Sequence, residues 1–441
     1  MQTDSRLSRL LFAAQLLVIA SLPFHFLISS YAIGLLILVF MVALVRLPEF
    51  RRSILKAFKS NKVAILMVLF FLTYVVSAAI HYNSYTEDSV EPAALEKKLS
   101  LLLFPFLLAS FSISRPFQIQ LALKVYIGSI ILSSLFALCD GLYQTVSSGS
   151  LYYFDENTGV IFNNFMYHRL GSYVGMHAVY FAEYVLLALI IVVSYTYYNF
   201  KNWNTKNRLL SIVLGLYLIG IIFLLKSAAI LIILLIIIVL FTAYYLHRAR
   251  KQISRTLKWT IPIIAIILVS LLAYRAIDKI GSKASFFSYD FSEPGGGNWN
   301  AINLRLAKWE VAKMAIKDHW LLGVGPGNII NTLDIYYKKV GFDYALRLHY
   351  NPHNQFLHTL LTLGIVGLLI LVFIYVLAII KSLKKQDSVM FLFLISFLLF
   401  SMSESNLAVN KGIVFFSVFL TFFSYLPEKV SYYLNEQNHT E

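Results

Sequence analysis

The stretch LHYNPHNQFLHTLLTLGIVGLL, residues 348–369, places three histidines, His349, His353 and His358, where a polar segment gives way to an apolar run. Imidazole takes up and releases a proton near neutral pH, so a histidine at such a boundary suits the activation of a hydroxyl group. His353 follows Pro352 and precedes Asn354, a helix-capping residue type, and the pattern predicts a helix from Gln355 with Phe356, Leu360, Leu363 and Gly367 on one face. A hydrated interfacial histidine fits the same pattern. His349 and His353 are also conceivable as a metal pair, but Pro352 breaks the helical i, i+4 geometry and no nearby carboxylate completes a ligand set. No metal or other cofactor is expected.

Two arginines stand near these histidines. Arg305 opens the helical pattern NLRLAKWEVAKMAIKDHW, and Arg347 closely precedes His349. A guanidinium group is planar, permanently charged and donates in pairs, which suits a diphosphate; lipid headgroups or acidic partners are the alternative ligands. Asp140, His177, Glu183, Lys226 and Arg275 lie within or at the ends of apolar runs. Such charges are costly in lipid and normally face a protein interior or a water-filled cavity, although Lys226, at a turn, can reach the interface. His168 and Arg169 precede the run LGSYVGMHAVYFAEY. There is no Gly-rich phosphate loop after a strand and no Asp-x-Asp pair, which disfavours an enzyme that uses nucleotide sugars on the cytoplasmic side.

The elements that must position these groups are membrane spans. Of the 441 residues 59% are hydrophobic and 13% charged, and the mean hydropathy is +0.72, values that belong to a polytopic membrane protein. A span needs roughly 20 apolar residues. That length predicts spans at 10–45 (two), 63–80, 99–113, 117–139, 172–196, 209–246 (two, divided at Lys226-Ser227), 259–274, 356–380, 389–402 and 408–426. The net charge of +15 does not imply nucleic acid, because the basic residues fall in short clusters. Each cluster follows an even-numbered span, so twelve spans with both ends inside obey the positive-inside rule. Arg6 and Arg9 before the first run then mark an uncleaved first span. The single Cys139 has no partner for an intrachain disulfide or a thiolate zinc site.

On this topology residues 81–98, 140–171, the Lys226 turn, 275–355 and 403–407 face away from the cytoplasm. The chain divides into spans one to nine (1–274), a large external loop bearing the site (275–355), spans ten to twelve (356–426) and a tail (427–441). Within the loop, SEPGGGNWN reads as a flexible joint. Leu306, Trp309, Met314 or Lys313, and Ile316 then recur at near-helical spacing, as in an amphipathic helix lying on the membrane, and GVGPGN stops it.

The ordered set Arg305, Trp309, Gly323-Val324-Gly325, His353-Asn354, Leu357, Gly364 and Gly367 resembles the hallmarks of the O-antigen ligase and polymerase family. Those are an Arg–Trp helix, a Leu-Gly-x-Gly turn, and a His-Asn-x-x-Leu entry to a span with Gly-x-x-Gly. The resemblance covers residues 305–369 sharply and the rest by architecture. It implies an all-α GT-C-type membrane glycosyltransferase of the bacterial inner membrane, with its site facing the periplasm. The implied donor is a glycan on undecaprenyl diphosphate. The implied acceptor is a sugar hydroxyl of lipid A–core, as in O-antigen ligation for lipopolysaccharide biosynthesis, with repeat-unit polymerisation and protein O-glycosylation as alternatives. His353 and Arg305 would be catalytic, while Arg169, Lys226, Arg347, Asn354 and Trp309 would hold diphosphate or glycan. Where the family commonly carries a Ser-Arg pair, this chain has Ser227 and then Ala228, so Lys226 or Arg169 would have to supply the cation. A secondary transporter would also have twelve spans and intramembrane charges, but a large helical external loop and the lack of broken repeat pairs suit it poorly.

Overall fold

A computed structural model describes residues 5–82, 91–155, 160–248, 291, 301–426 and 433–434. The expected ninth span (259–274), Arg275, the joint SEPGGGNWN and the tail other than 433–434 lie outside the described residues. The chain is helical, and helices overlie every other expected span. They are α1 (Ser5–Ser21), α2 (Phe26–Arg46), α3 (Pro48–Ser60), α4 (Lys62–Ile80), α5 (Glu91–Leu107), α6 (Pro116–Ser148), α7 (Tyr167–Ser172), α8 (Ala178–Asn199), α9 (Thr205–Leu224), α10 (Ala228–Arg248), α11 (Ala301–His319), α12 (Ile329–Val340), α13 (Asp343–Arg347), α14 (Gln355–Lys384), α15 (Ser388–Ser403) and α16 (Asn410–Tyr425). Among the described residues six helices, α2, α4, α6, α8, α9 and α14, are long and apolar enough to cross a membrane. The apolar part of α10, and all of α15 and α16, are shorter. The protein is therefore a multi-pass helical membrane protein.

Two elements depart from the expected pattern. The basic segment after α2 is itself a helix, α3, which starts at Pro48 and turns Phe50, Ile54, Ala57 and Phe58 inward, with Arg51, Arg52, Lys56 and Lys59 on its other side. An antiparallel hairpin, β1 (Tyr152–Asp155) with β2 (Val160–Asn163), interrupts the all-α architecture. Its runs YYFD and VIFN are rich in aromatic and β-branched residues and far too short to span a bilayer.

The membrane core is built around α8, most of whose residues are buried, Glu183 included. The Glu183 carboxylate accepts a hydrogen bond from Ser396 Oγ at 3.0 Å. A second, separate core forms where α11 buries Ala307, Val311, Ala312 and Ala315 against Ile329, Leu333, Tyr337, Phe342, Ala345 and Leu361. The face expected to lie on the membrane is that of Leu306, Trp309 and Ile316. Those residues are only half-buried, and Lys313 is exposed. The alanine stripe lets other helices approach closely, so the face with the smaller side chains wins.

One backbone contact ties the two cores together. At Gly364 (φ 66°, ψ −165°) α14 leaves helical geometry. The carbonyls this frees, those of Leu361 and Thr362, accept from the N–H groups of Val324 (2.8 Å) and Gly325 (3.0 Å), and Ile365 N–H donates to Trp320 O at 2.9 Å. Only glycine fits: a Cβ on Gly364 would stand 2.1 Å from Leu321 O, and one on Gly323 2.4 Å from Thr362 O. The two glycine motifs are thus one contact, which satisfies non-helical backbone inside a membrane segment.

Candidate active site

Asn354 organises the entry to α14. Its side-chain oxygen accepts from the N–H groups of Phe356 (2.9 Å) and Leu357 (3.1 Å), the expected N-cap. Its Nδ2 donates to Met402 O at 3.1 Å and so holds the last turn of α15 beside the cap. Gln355 extends the joint by accepting Leu407 N–H at 2.8 Å. These bonds bring Glu404, which ends α15 in extended conformation, up to His353.

Glu404 is the centre of the site. Its Oε2 lies 2.8 Å from His353 Nδ1, and its Oε1 accepts from Arg305 Nη2, also at 2.8 Å. Arg305 Nε donates to Ser403 O at 3.2 Å, so the guanidinium is fixed in orientation as well as in charge. Burial acts to raise the Glu404 pKa, but the hydrogen bond and charge of His353 and those of Arg305 outweigh it and hold the carboxyl below its ordinary value. An ionised carboxylate only accepts, so Nδ1 of His353 carries the proton and Nε2 is left as the basic nitrogen. His353 adopts φ 46°, in the left-handed region, and its own N–H bonds to Asn351 Oδ1 at 2.9 Å. A non-glycine residue held in this region is strained.

The three histidines of the opening stretch separate. His353 joins Glu404, His349 pairs on the surface with Asp334 at 2.5 Å, and His358 is buried in α14 beside Thr362. The absence of a carboxylate near His353, inferred from the local sequence, is thereby overturned by a residue 51 positions away. Trp309, one turn beyond Arg305, has a buried indole N–H with no hydrogen-bond acceptor among the described residues. Arg169 is held elsewhere, stacked on Tyr153 (4.2 Å) and Tyr173 (5.1 Å) and bonded through Nε to the Tyr173 hydroxyl at 3.1 Å. Lys226, in the left-handed region at φ 47°, and Arg347, at the end of α13, are both exposed. Among the described residues no contact joins either of them to Glu404.

Further groups complete the site, and of these Lys308 and Tyr167 were not singled out in the sequence. Lys308 is buried, with its ammonium 4.5 Å over the Tyr350 ring, which lies 5.9 Å from the His353 ring. Burial, then the nearby charge of Arg305, lowers its pKa to about 7 against the opposing pull of Glu404. Across the site stands Tyr167, whose hydroxyl is raised in pKa by burial and then by Glu404, with Arg305 opposing. His168 lies beside it, its ring 3.9 Å from that of Tyr167 and 4.1 Å from that of His177. A helical-spacing rule could have flagged Lys308 as three residues after Arg305. Only the tertiary fold brings Glu404 and Tyr167 there.

No curated protein matches the chain. The family model described as O-antigen ligase matches residues 210–372, the segment that carries α9, α10, Arg305, the glycine contact and His353. That segment is what the chain shares with the O-antigen ligase family, in keeping with the resemblance of its motifs.

Proposed function

We propose that this protein is a GT-C-type glycosyltransferase of the bacterial inner membrane, with twelve spans and a site on the periplasmic side. It transfers a glycan from undecaprenyl diphosphate to an acceptor sugar hydroxyl, most simply that of lipid A–core. The observation that carries this reading is the bridge of Glu404 between His353 and Arg305, a base and a fixed cation on one carboxylate.

In this reading Nε2 of His353 takes the proton of the acceptor hydroxyl as its oxygen attacks the anomeric carbon. The bond from that carbon to the diphosphate oxygen breaks, and the electron pair leaves with the lipid diphosphate. Arg305 stabilises the negative charge that grows there, and Glu404 stabilises the imidazolium that forms. Asn354 fixes the loop that carries His353, and the indole N–H of Trp309, which has no acceptor among the described residues, would donate to glycan or phosphate oxygen. The diphosphate is already a good leaving group, so the mechanism needs no metal, and a chelator is expected to leave transfer unchanged.

The test is reconstitution of the purified protein with a lipid-linked glycan. Release of undecaprenyl diphosphate with transfer to lipid A–core is the expected result. Transfer onto a second lipid-linked repeat unit would make the enzyme a polymerase of the same family, and transfer to protein an O-oligosaccharyltransferase. An intact donor under all three conditions would refute the reading.

A further inference from the structure

The charges around Glu404 do not add up to a diphosphate site. Arg305 is neutralised by Glu404 at 2.8 Å, and with His353 in its neutral form the trio carries no net charge. A lipid diphosphate is a multiple anion, and binding it beside a buried carboxylate requires surplus positive charge. The surface cations Lys226 and Arg347 make no contact with the trio, and Arg169 is engaged by two tyrosines.

Lys308 is a buried cation that interacts electrostatically with both Arg305 and Glu404. It follows Arg305 by three residues on α11, so both side chains leave the helix on neighbouring faces. Only 3% of its surface is exposed, and among the described residues it has no carboxylate partner within ion-pair distance, only the face of Tyr350. A lysine buried without a counter-ion is costly, and an aromatic face recovers only part of that cost. A long flexible stem held on an aromatic ring can swing to a new anion with little rearrangement.

We propose, resting on the function inferred above, that Lys308 is the second cationic contact for the diphosphate of the donor and that it takes up a proton as the donor binds. The groups that face it are Arg305 on its own helix, Glu404 from the turn after α15, and Tyr350 and His353 from the segment before α14. From α12 and α13, Tyr337 and Tyr344 reach Tyr350. With the free amine titrating at about 7, the donor-free site loses this charge as pH rises, and a bound diphosphate restores it. Affinity must therefore be highest in mild acid and fall with rising pH.

The experiment is equilibrium binding of undecaprenyl diphosphate to the purified full-length protein, at about pH 6 and about pH 8.5, for wild type, Lys308→Met and Lys308→Arg. Ionisation of the ligand is common to all three and cancels in ratios to wild type. Lys308→Met is expected to bind about tenfold or more weaker at low pH and to approach wild type at high pH. Lys308→Arg, always charged, should exceed wild type at high pH by a similar factor. Binding by Lys308→Met equal to wild type at low pH would overturn the assignment while leaving the transferase reading intact. If Lys308→Met fails to fold, a ratio of Lys308→Arg to wild type that does not change with pH overturns it equally. Wild-type protein that transfers glycan but binds no undecaprenyl diphosphate would also overturn it. Protein that neither binds nor transfers would remove both readings.

Discussion

Arg305 and Arg169 are the same side chain in two different segments, and the fold treats them differently. Arg305 is held by a carboxylate and a backbone carbonyl, Arg169 by two tyrosine rings and a phenol hydroxyl. A carboxylate fixes both the position and the charge balance of a guanidinium, so an anion entering there meets an oriented but already neutralised group. Tyrosine faces hold an arginine in place without cancelling its charge. The first arrangement is that of the proposed catalytic trio, in which the same carboxylate also orients His353. The second belongs with the architecture of the β1–β2 hairpin, which leans on α7 through Tyr153 and Arg169 and through Phe162 and His168.

The largest effect is expected at the first corner. His353→Ala removes the proton acceptor and should lower the rate of glycan transfer by about 10²–10⁴-fold. Arg305→Ala should fall into the same range, because it removes the cation and leaves Glu404 buried beside the departing diphosphate. Rates measured in reconstituted vesicles at saturating donor separate this outcome from weak binding. A loss under about tenfold for both variants would break the comparison at its stronger end.

Glu404→Gln is expected to act less severely, and in two directions. The amide cannot accept from Arg305 and His353 as the carboxylate does, so kcat should fall by about 10²-fold. Arg305 is no longer neutralised, so donor KM should fall too. The pH dependence of stability has a definite sign. A carboxyl held below its ordinary value stabilises the fold at pH values above its unfolded pKa of 4.5, and that contribution disappears as pH falls through the lower folded value. The thermal midpoint of wild type should therefore exceed that of Glu404→Gln near pH 7, and the gap should close in the acid range. A gap independent of pH would mean that Glu404 stabilises the turn by packing rather than by charge.

Legibility in the sequence followed the range of the interaction. The Asn354 cap was visible because its partners, Phe356 and Leu357, lie within three residues. Apolar run lengths located the helices, but a run of basic residues hid α3, whose inward face is only four side chains wide. The glycines of GVG and of Gly364 were visible as punctuation, yet the reason for them, a backbone contact between segments 40 residues apart, was not. Glu404 lies in a five-residue turn with no motif of its own and becomes a site residue only because Asn354 and Gln355 bind that turn. Lys308 was hidden differently. A lysine in an amphipathic pattern reads as solvent-facing, and only the burial of the alanine face turns it inward.

The smallest expected effect tests the second corner. Arg169→Ala removes a stacked cation from between Tyr153 and Tyr173, an interaction worth about 1 kcal/mol where partly exposed. The hairpin should loosen, and transfer should drop by less than about tenfold, through KM for the acceptor or donor rather than through kcat. Arg169→Lys should recover part of that loss, since an ammonium keeps the cation–π contact but forfeits the planar fork. If Arg169→Ala fell as far as Arg305→Ala, with kcat affected and no rescue by lysine, Arg169 would have to leave its tyrosines during turnover and grip the diphosphate. The two arginines would then be halves of one clamp, and the contrast between them a property of the empty site alone.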